Sequence, residues 1–223
     1  MPDFLGAVFF DVDGVLIDSL PQHLAICRDK AIQFGLNLRM PTIEEFREMV
    51  RRGVKVSPMR DFFLAVGFPE SLADRAVIDY QNEFMEHYKP QPFVGTDKLL
   101  SRLQHAGLKL GLVTSNTRAN VEPALGNAMQ YFDDRCLFYF DRYPAPKSKP
   151  WCINEGTRIL RMTPAECVYV GDQPADAAAA NDAGTQFLGV TYGWGITKSD
   201  NQYAKATTLL EIAEKLIGLP AQL

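Results

Sequence analysis

Two aspartates close the first apolar run of the chain, Ala7-Val8-Phe9-Phe10-Asp11-Val12-Asp13-Gly14. In extended backbone, residues i and i+2 point the same way, so Asp11 and Asp13 face one site. Two adjacent carboxylates repel each other unless a cation sits between them, and oxygen ligands of this kind suit Mg2+. Gly14 lets the chain turn sharply just beyond. A second acidic turn, Gly171-Asp172-Gln173-Pro174-Ala175-Asp176, follows the run Cys167-Val168-Tyr169-Val170. Two acidic strand ends in one sheet make a divalent-cation site far more plausible than either does separately. Each also has an ordinary explanation. The first can be an Asx turn capping a strand, and Asp176 can be an acid favoured by the dipole at a helix start.

Three further groups carry weaker signals. Thr114-Ser115-Asn116 offers a hydroxyl and an amide to phosphate oxygens, although Ser-Asn is also common helix N-cap chemistry. Lys147-Ser148-Lys149 precedes a helix start, where a lysine either neutralises phosphate or is simply solvated. Arg51-Arg52-Gly53-Val54-Lys55 lies between helix-like stretches. Its cations, Arg52 and Lys55 among them, either grip a distal anionic group or form a basic turn. His23, His87 and His105 fall in helix-like stretches and are assigned no catalytic role.

Such residues need strand ends to hold them. Short β-rich apolar runs at 7–10, 109–113, 136–140, 167–170 and 187–190 read as buried strands. Helical patterns at 97–103, 153–160 and 175–183 alternate with them, the last stopped by Gly184. This alternation predicts an α/β fold with a doubly wound parallel sheet, whose ligands bind beyond the carboxyl ends of the strands. The chain between the first two strands is far longer than the dozen or so residues a crossover needs. It carries helix-like periodicity at 23–34, 43–50, 59–66 and 72–88, punctuated by Pro41, Pro58 and Pro69. We therefore expect a helical domain at 18–90 inserted into a core made of 1–17 and 91–223. Lys89-Pro90-Gln91-Pro92 would be the return hinge, and the apolar stretch 209–219 a docking helix.

The bulk composition narrows the classes. Of 223 residues, 47% are hydrophobic, enough to bury a sizeable core. The net charge of −4, without any Lys/Arg block, leaves nucleic-acid binding no electrostatic footprint. No apolar run approaches the ~20 residues that span a bilayer, and no basic, then apolar leader opens the chain. The four cysteines have neither CxxC nor Cys/His spacing and read as reduced thiols. The expectation is a soluble cytoplasmic protein, monomeric or homodimeric.

Taken together, these motifs resemble the haloacid dehalogenase superfamily, and within it the phosphoglycolate phosphatase and β-phosphoglucomutase-like members with a helical cap. Phe10-Asp11-Val12-Asp13-Gly14-Val15-Leu16-Ile17-Asp18-Ser19 matches the first motif. Val113-Thr114-Ser115-Asn116 matches the second, and Val170-Gly171-Asp172-Gln173-Pro174-Ala175-Asp176 the fourth. For the third, Lys147 falls in register; Ser148 stands where the family has proline, and Lys149-Pro150 supplies a second lysine. Tyr192-Gly193-Trp194-Gly195 is similar to a segment common in phosphoglycolate-phosphatase-like members.

The resemblance implies a Rossmann-like core with an α-helical cap and Mg2+ held by Asp11, the Asp13 carbonyl and Asp172, with Asp176 in support. It implies Asp11 as nucleophile, Asp13 as general acid and base, and Ser115, Asn116 and Lys147 on the phosphate. The substrate would be a small phosphorylated metabolite. Dehalogenases of the superfamily lack an acid at the position of Asp13, so phosphoryl transfer is expected. A sugar-phosphate mutase is the enzymatic alternative, and a non-catalytic binding protein on the same core is the other.

Overall fold

In a computed structural model, which describes residues 5–142 and 148–218, the sheet is built from six parallel strands. These are β1 (Ala7–Phe10), β4 (Lys109–Val113), β5 (Leu137–Phe138), β6 (Cys167–Gly171), β7 (Gln186–Val190) and β8 (Ala204–Ala206), in the order β5-β4-β1-β6-β7-β8. Every residue of β1 and β6 is buried, as expected where helices cover both faces of a parallel sheet. One face packs Val8, Phe10 and Val168 under α5 (Thr96–His105), α6 (Arg118–Leu125) and α9 (Leu209–Ile217). The other packs Phe9, Tyr169 and Phe138 under α7 (Lys149–Leu160) and α8 (Pro174–Ala183).

The long insertion folds into four helices: α1 (Leu20–Gln33), α2 (Ile43–Arg51), α3 (Met59–Ala65) and α4 (Glu70–Glu83), the last extended by a π-helical turn at Phe84–Tyr88. Thr42 and Glu45 form a capping box that starts α2. These helices bury their own core, with Phe46, Phe62, Phe63 and Phe84 essentially inaccessible. The insertion leaves and rejoins the core through a two-stranded antiparallel ribbon, β2 (Ile17–Asp18) on β3 (Gln91–Pro92).

Some expected elements differ. The run 136–140 yields only a two-residue strand, because 3-10 turns at Asp134–Cys136 and Phe140–Arg142 flank it. Helix α7 begins at Lys149, four residues ahead of its apolar pattern, with Ser148 as N-cap and Pro150 in the first turn, where proline is tolerated. Helix α6 and strand β8 had no clear signal: α6 is short and carries Pro123 inside it, and β8 is a three-residue edge.

Candidate active site

The ends of β1, β4 and β6 lie side by side, in register Phe10 with Leu112 and Val170. Asp11, one residue beyond β1, is tied in by its N–H to the Val170 carbonyl at 2.9 Å. Asp172 is fully buried beyond β6, and Asp176 sits in the first turn of α8. Ligand oxygens of these three buried carboxylates all lie within 4.8 Å of one another.

Lys149 bridges two of them, its Nζ 2.8 Å from Asp11 Oδ2 and 2.6 Å from Asp176 Oδ1. Burial works against the charge on that ammonium, but Asp11 and Asp176 outweigh it and hold the group well above its usual range. Lys147, expected here, lies outside the described residues. Asp176 is committed on both oxygens. Its Oδ2 accepts from the N–H of Asp172 at 3.1 Å and of Gln173 at 3.0 Å, so it pins the strand-to-helix turn as well as the lysine.

Burial pushes the Asp11 carboxyl up to about 7 against the pull of Lys149, with Asp176 and Asp13 adding to the rise. Burial also raises Asp172 well above the carboxylate range, helped by repulsion from Asp176 and Asp11 and opposed by the N–H of Trp194. Asp172 Oδ2 takes that N–H at 2.5 Å, while the buried Oδ1 has no hydrogen-bond partner among the described residues. An orphaned oxygen in a carboxylate cluster is costly, and a divalent cation with oxygen preference removes the cost. The donor set therefore fits Mg2+. Two glycines make the crowding possible. Gly14 has φ +78°, and a Cβ there would stand 2.3 Å from Asp172 Oδ2; a Cβ on Gly193 would stand 2.4 Å from the same oxygen.

Asp13 occupies a different environment. It is half-buried, and neutral donors hold both its oxygens: Ser19 Oγ at 2.5 Å on Oδ1 and Asn116 Nδ2 at 2.9 Å on Oδ2. Thr114, Ser115 and Asn116 follow β4 into the same cavity of about 50 Å3, with Lys149 on its wall. The Asn116 N–H is taken by Thr114 Oγ1 at 3.1 Å.

The cap closes this cavity with residues no motif singled out. His23, Met59, Phe62 and Tyr80 line it, together with Trp194 from the loop after β7. His23 Nδ1 donates to the Ser19 carbonyl at 2.7 Å, and its Nε2 lies 3.2 Å from Tyr80 Oη. Asn120 donates to Tyr80 Oη at 3.1 Å and to Asn116 Oδ1 at 3.0 Å. A hydrogen-bonded chain thus runs from the cap to the side chain that holds Asp13. The ring of Trp194 belongs to the core loop yet packs edge-on against Phe46, His23 and Phe62 of the cap. Of this chain the sequence singles out Asn116 and, without a role, His23, whereas Tyr80 and Asn120 carry no signal.

Of the two cap cations singled out, Lys55 borders the cleft between cap and core, paired with Asp61 at 2.7 Å. Arg52 instead faces a groove on the outer side of the cap, its side chain 75% exposed and paired with Glu48 at 2.8 Å. As the C-cap of α2, it is turned away from the core, whereas Arg51 borders the cleft. Among the described residues, no helix is long and apolar enough to cross a membrane.

Residues 8–190 match the family model of haloacid dehalogenase-like hydrolases. An N-acetylmuramic acid 6-phosphate phosphatase of Pseudomonas aeruginosa is 29% identical over 96% of this chain and 94% of its own. A phosphoglycolate phosphatase of Xylella fastidiosa is 30% identical over 93% and 90%. The crystal structure of CbbY from Rhodobacter sphaeroides in complex with phosphate has the same fold, with a TM-score of 0.69 at 21% identity over 94% of this chain and 96% of that one.

Proposed function

The chain belongs to the haloacid dehalogenase-like hydrolases and is a phosphatase of that family, and on that premise we propose that it hydrolyses a small phosphorylated metabolite through an aspartyl-phosphate on Asp11, with Mg2+ as cofactor. The observation that carries this reading is the contrast between the two aspartates of one strand end. Asp11 is buried against a lysine and two further carboxylates, while Asp13 is held by neutral donors at the edge of the cavity. The first arrangement suits a nucleophile and the second a proton carrier.

In the first step an Asp11 oxygen bonds to phosphorus and the bond from phosphorus to the ester oxygen breaks. Asp13 gives its proton to that departing oxygen. In the second step a water oxygen attacks the same phosphorus, Asp13 takes the water proton, and phosphate leaves with Asp11 restored. Ser115, Asn116 and Lys149 border the cavity where the transferring oxygens would lie and supply donors to them. Lys147 keeps the alternative place in that role. Asp11, the Asp13 carbonyl and Asp172 would hold Mg2+, with Asp176 supporting it. Once bound, the ion neutralises charge shared by nucleophile and phosphate. The relatives' names, one an N-acetylmuramic acid 6-phosphate phosphatase and one a phosphoglycolate phosphatase, support a small phosphorylated metabolite as substrate. Four buried thiols, none in a disulfide, suit a cytoplasmic enzyme.

The test is phosphate release from a panel of esters, with Mg2+ or with chelator, by wild type and Asp11→Asn. We expect release that requires both the ion and Asp11. Undiminished release by Asp11→Asn would overturn the covalent mechanism, and release in chelator would overturn the cofactor assignment. Phosphoryl exchange that needs a sugar bisphosphate, with little net release, would instead identify a mutase.

A further inference from the structure

Two chambers open from the catalytic cavity, and the leaving group can occupy only one of them while Asp13 protonates its oxygen. The first, about 310 Å3, lies under Arg51, Lys55 and Ser57 and runs past Lys149, Gln173 and Asp176, the metal side of the site. The second, about 270 Å3, lies between α3, α4 and the turn after β5, and it meets the cavity at Met59, Tyr80, Ser115 and Asn116. Asp13 is bonded to Ser19 and Asn116. Asn116 lines the second chamber, and neither partner of Asp13 lines the first. An acid must lie within hydrogen-bond reach of the oxygen it protonates, so the group carried by that oxygen extends into the second chamber.

We propose that this second chamber is the leaving-group subsite and that it selects an uncharged, polyhydroxylated group of monosaccharide size, making the substrate a sugar phosphate; this rests on the phosphatase reading above. Size is the first argument. At the ~10–15 Å3 a water needs, the cavity of about 50 Å3 holds a phosphoryl group and little else. By the same measure 270 Å3 takes roughly 18–27 water-sized groups, so a sugar ring fits with room beside it, and a short acid would leave most of it empty. The wall is the second argument. Met59, Val77, Tyr80 and Phe140 present apolar and aromatic surface, with Gln81 and Thr117 beside them for hydroxyls. Phe140 is held at the mouth by its N–H on the Asn116 carbonyl at 3.0 Å, with 52% of its surface exposed. An aromatic wall edged with amide and hydroxyl groups fits the apolar face and rim of a sugar.

Charge is the third argument. Among the described residues, the charged ones lining the chamber are Arg60 and Asp74, and they pair with each other at 2.8 Å. A leaving group with a carboxylate or second phosphate therefore gains no net positive charge from these residues to offset its desolvation.

The test compares wild type, Phe140→Ala, Gln81→Trp and Lys55→Ala, each with Mg2+, on glucose 6-phosphate, phosphoglycolate and acetyl phosphate. Gln81 is exposed, so tryptophan there fills the chamber without disturbing a core. We expect wild type to favour the hexose phosphate over phosphoglycolate. Phe140→Ala and Gln81→Trp should each lower kcat/KM for the hexose phosphate about tenfold, within the range of a pocket contact. Both should keep acetyl phosphate, whose leaving group is small, within about twofold, and Lys55→Ala should keep both substrates within about twofold. A preference for phosphoglycolate, or a loss on the hexose phosphate confined to Lys55→Ala, would place the leaving group in the other chamber. Turnover of acetyl phosphate with none of the hexose phosphate would sink the subsite and leave the phosphatase standing. No turnover of any of the three would count against both.

Discussion

The two walls of the cleft are built on opposite plans. The core wall is charged: three buried carboxylates and one lysine, all delivered by strand ends and the first turns of the helices that follow. Around the catalytic cavity the cap wall is aromatic, and its cations Arg51 and Lys55 stand farther out along the cleft. His23 and Phe62 meet Trp194, which the core sends across to them, and Tyr80 stacks on His23. Charge positions phosphate wherever the leaving group comes from, whereas an apolar wall removes water and shapes the leaving group. On the proposed mechanism the chemistry belongs to the core and selection to the cap, with Asn116 linking the two, since it holds Asp13 and is reached by the Asn120–Tyr80 pair.

Substitutions on the core wall should show the largest effects and break the division if they do not. Asp13→Asn keeps shape and removes the proton, so kcat should fall about 10²–10⁴-fold with phosphate affinity retained. Turnover of an unactivated alkyl phosphate, whose leaving oxygen needs a proton, would check it. A mild effect there would mean that the leaving group departs without an acid. Lys149→Met should lower kcat about 10²–10³-fold, as loss of a buried donor to transferring oxygens does. Lys147→Met measured alongside should change kcat less than about threefold. The opposite order would return the role to Lys147.

Those residues also show what was legible beforehand. Asp11, Asp13, Asp172 and Asp176 each sit within six residues of a buried apolar run, so pattern and chemistry were adjacent in the chain. The lysine was harder. Spacing borrowed from the family points to Lys147, which lies outside the described residues, while Lys149, at the first helical position of α7, reaches back to the strand ends. The run 136–140 overstated β5 because apolar composition cannot register the 3-10 turns that cut it short. The cap wall was hidden for another reason. His23, Tyr80, Asn120 and Trp194 are far apart in sequence; Trp194 falls in a segment similar to one of the family's, but each of the other three alone looks like core or cap filler. Only packing of the insertion onto the core turns them into one network.

Cap-wall changes should be smaller and should separate stability from chemistry. Trp194→Ala removes the ring that joins the two cores and should destabilise the fold by about 3 kcal/mol, read as a shift in denaturant midpoint. A change under about 1 kcal/mol would mean that the ring is not packed between cap and core. Tyr80→Phe removes an oxygen that receives the Asn120 amide and faces His23. It should cost kcat about tenfold or less through Asn116, at the ~1 kcal/mol scale of a hydrogen bond. An unchanged kcat would show that the cap's chain of hydrogen bonds ends before Asp13.

The smallest expected effect tests how dry the cap wall is. Burial among Phe62, Phe84 and Trp194 lowers the His23 imidazole below its usual range, with the charge of Asp13 and the Ser19 carbonyl opposing the shift. A histidine whose folded pKa is depressed takes up its proton more readily in the unfolded chain. Stability therefore rises with pH across this window and is lost as pH falls below the unfolded value of ~6.5. Over the pH unit below that value the loss is about 1 kcal/mol, or roughly 2–4 °C in Tm for a chain of this length. His23→Phe keeps an aromatic ring and removes the titration, so its Tm should fall less than wild type's between about pH 6.5 and 5.5. Parallel Tm profiles for the two proteins would mean that water reaches the imidazole in the folded state. The cap would then be a looser cover than the aromatic packing around His23 implies, and exclusion of water from the phosphoryl group would rest on the substrate itself.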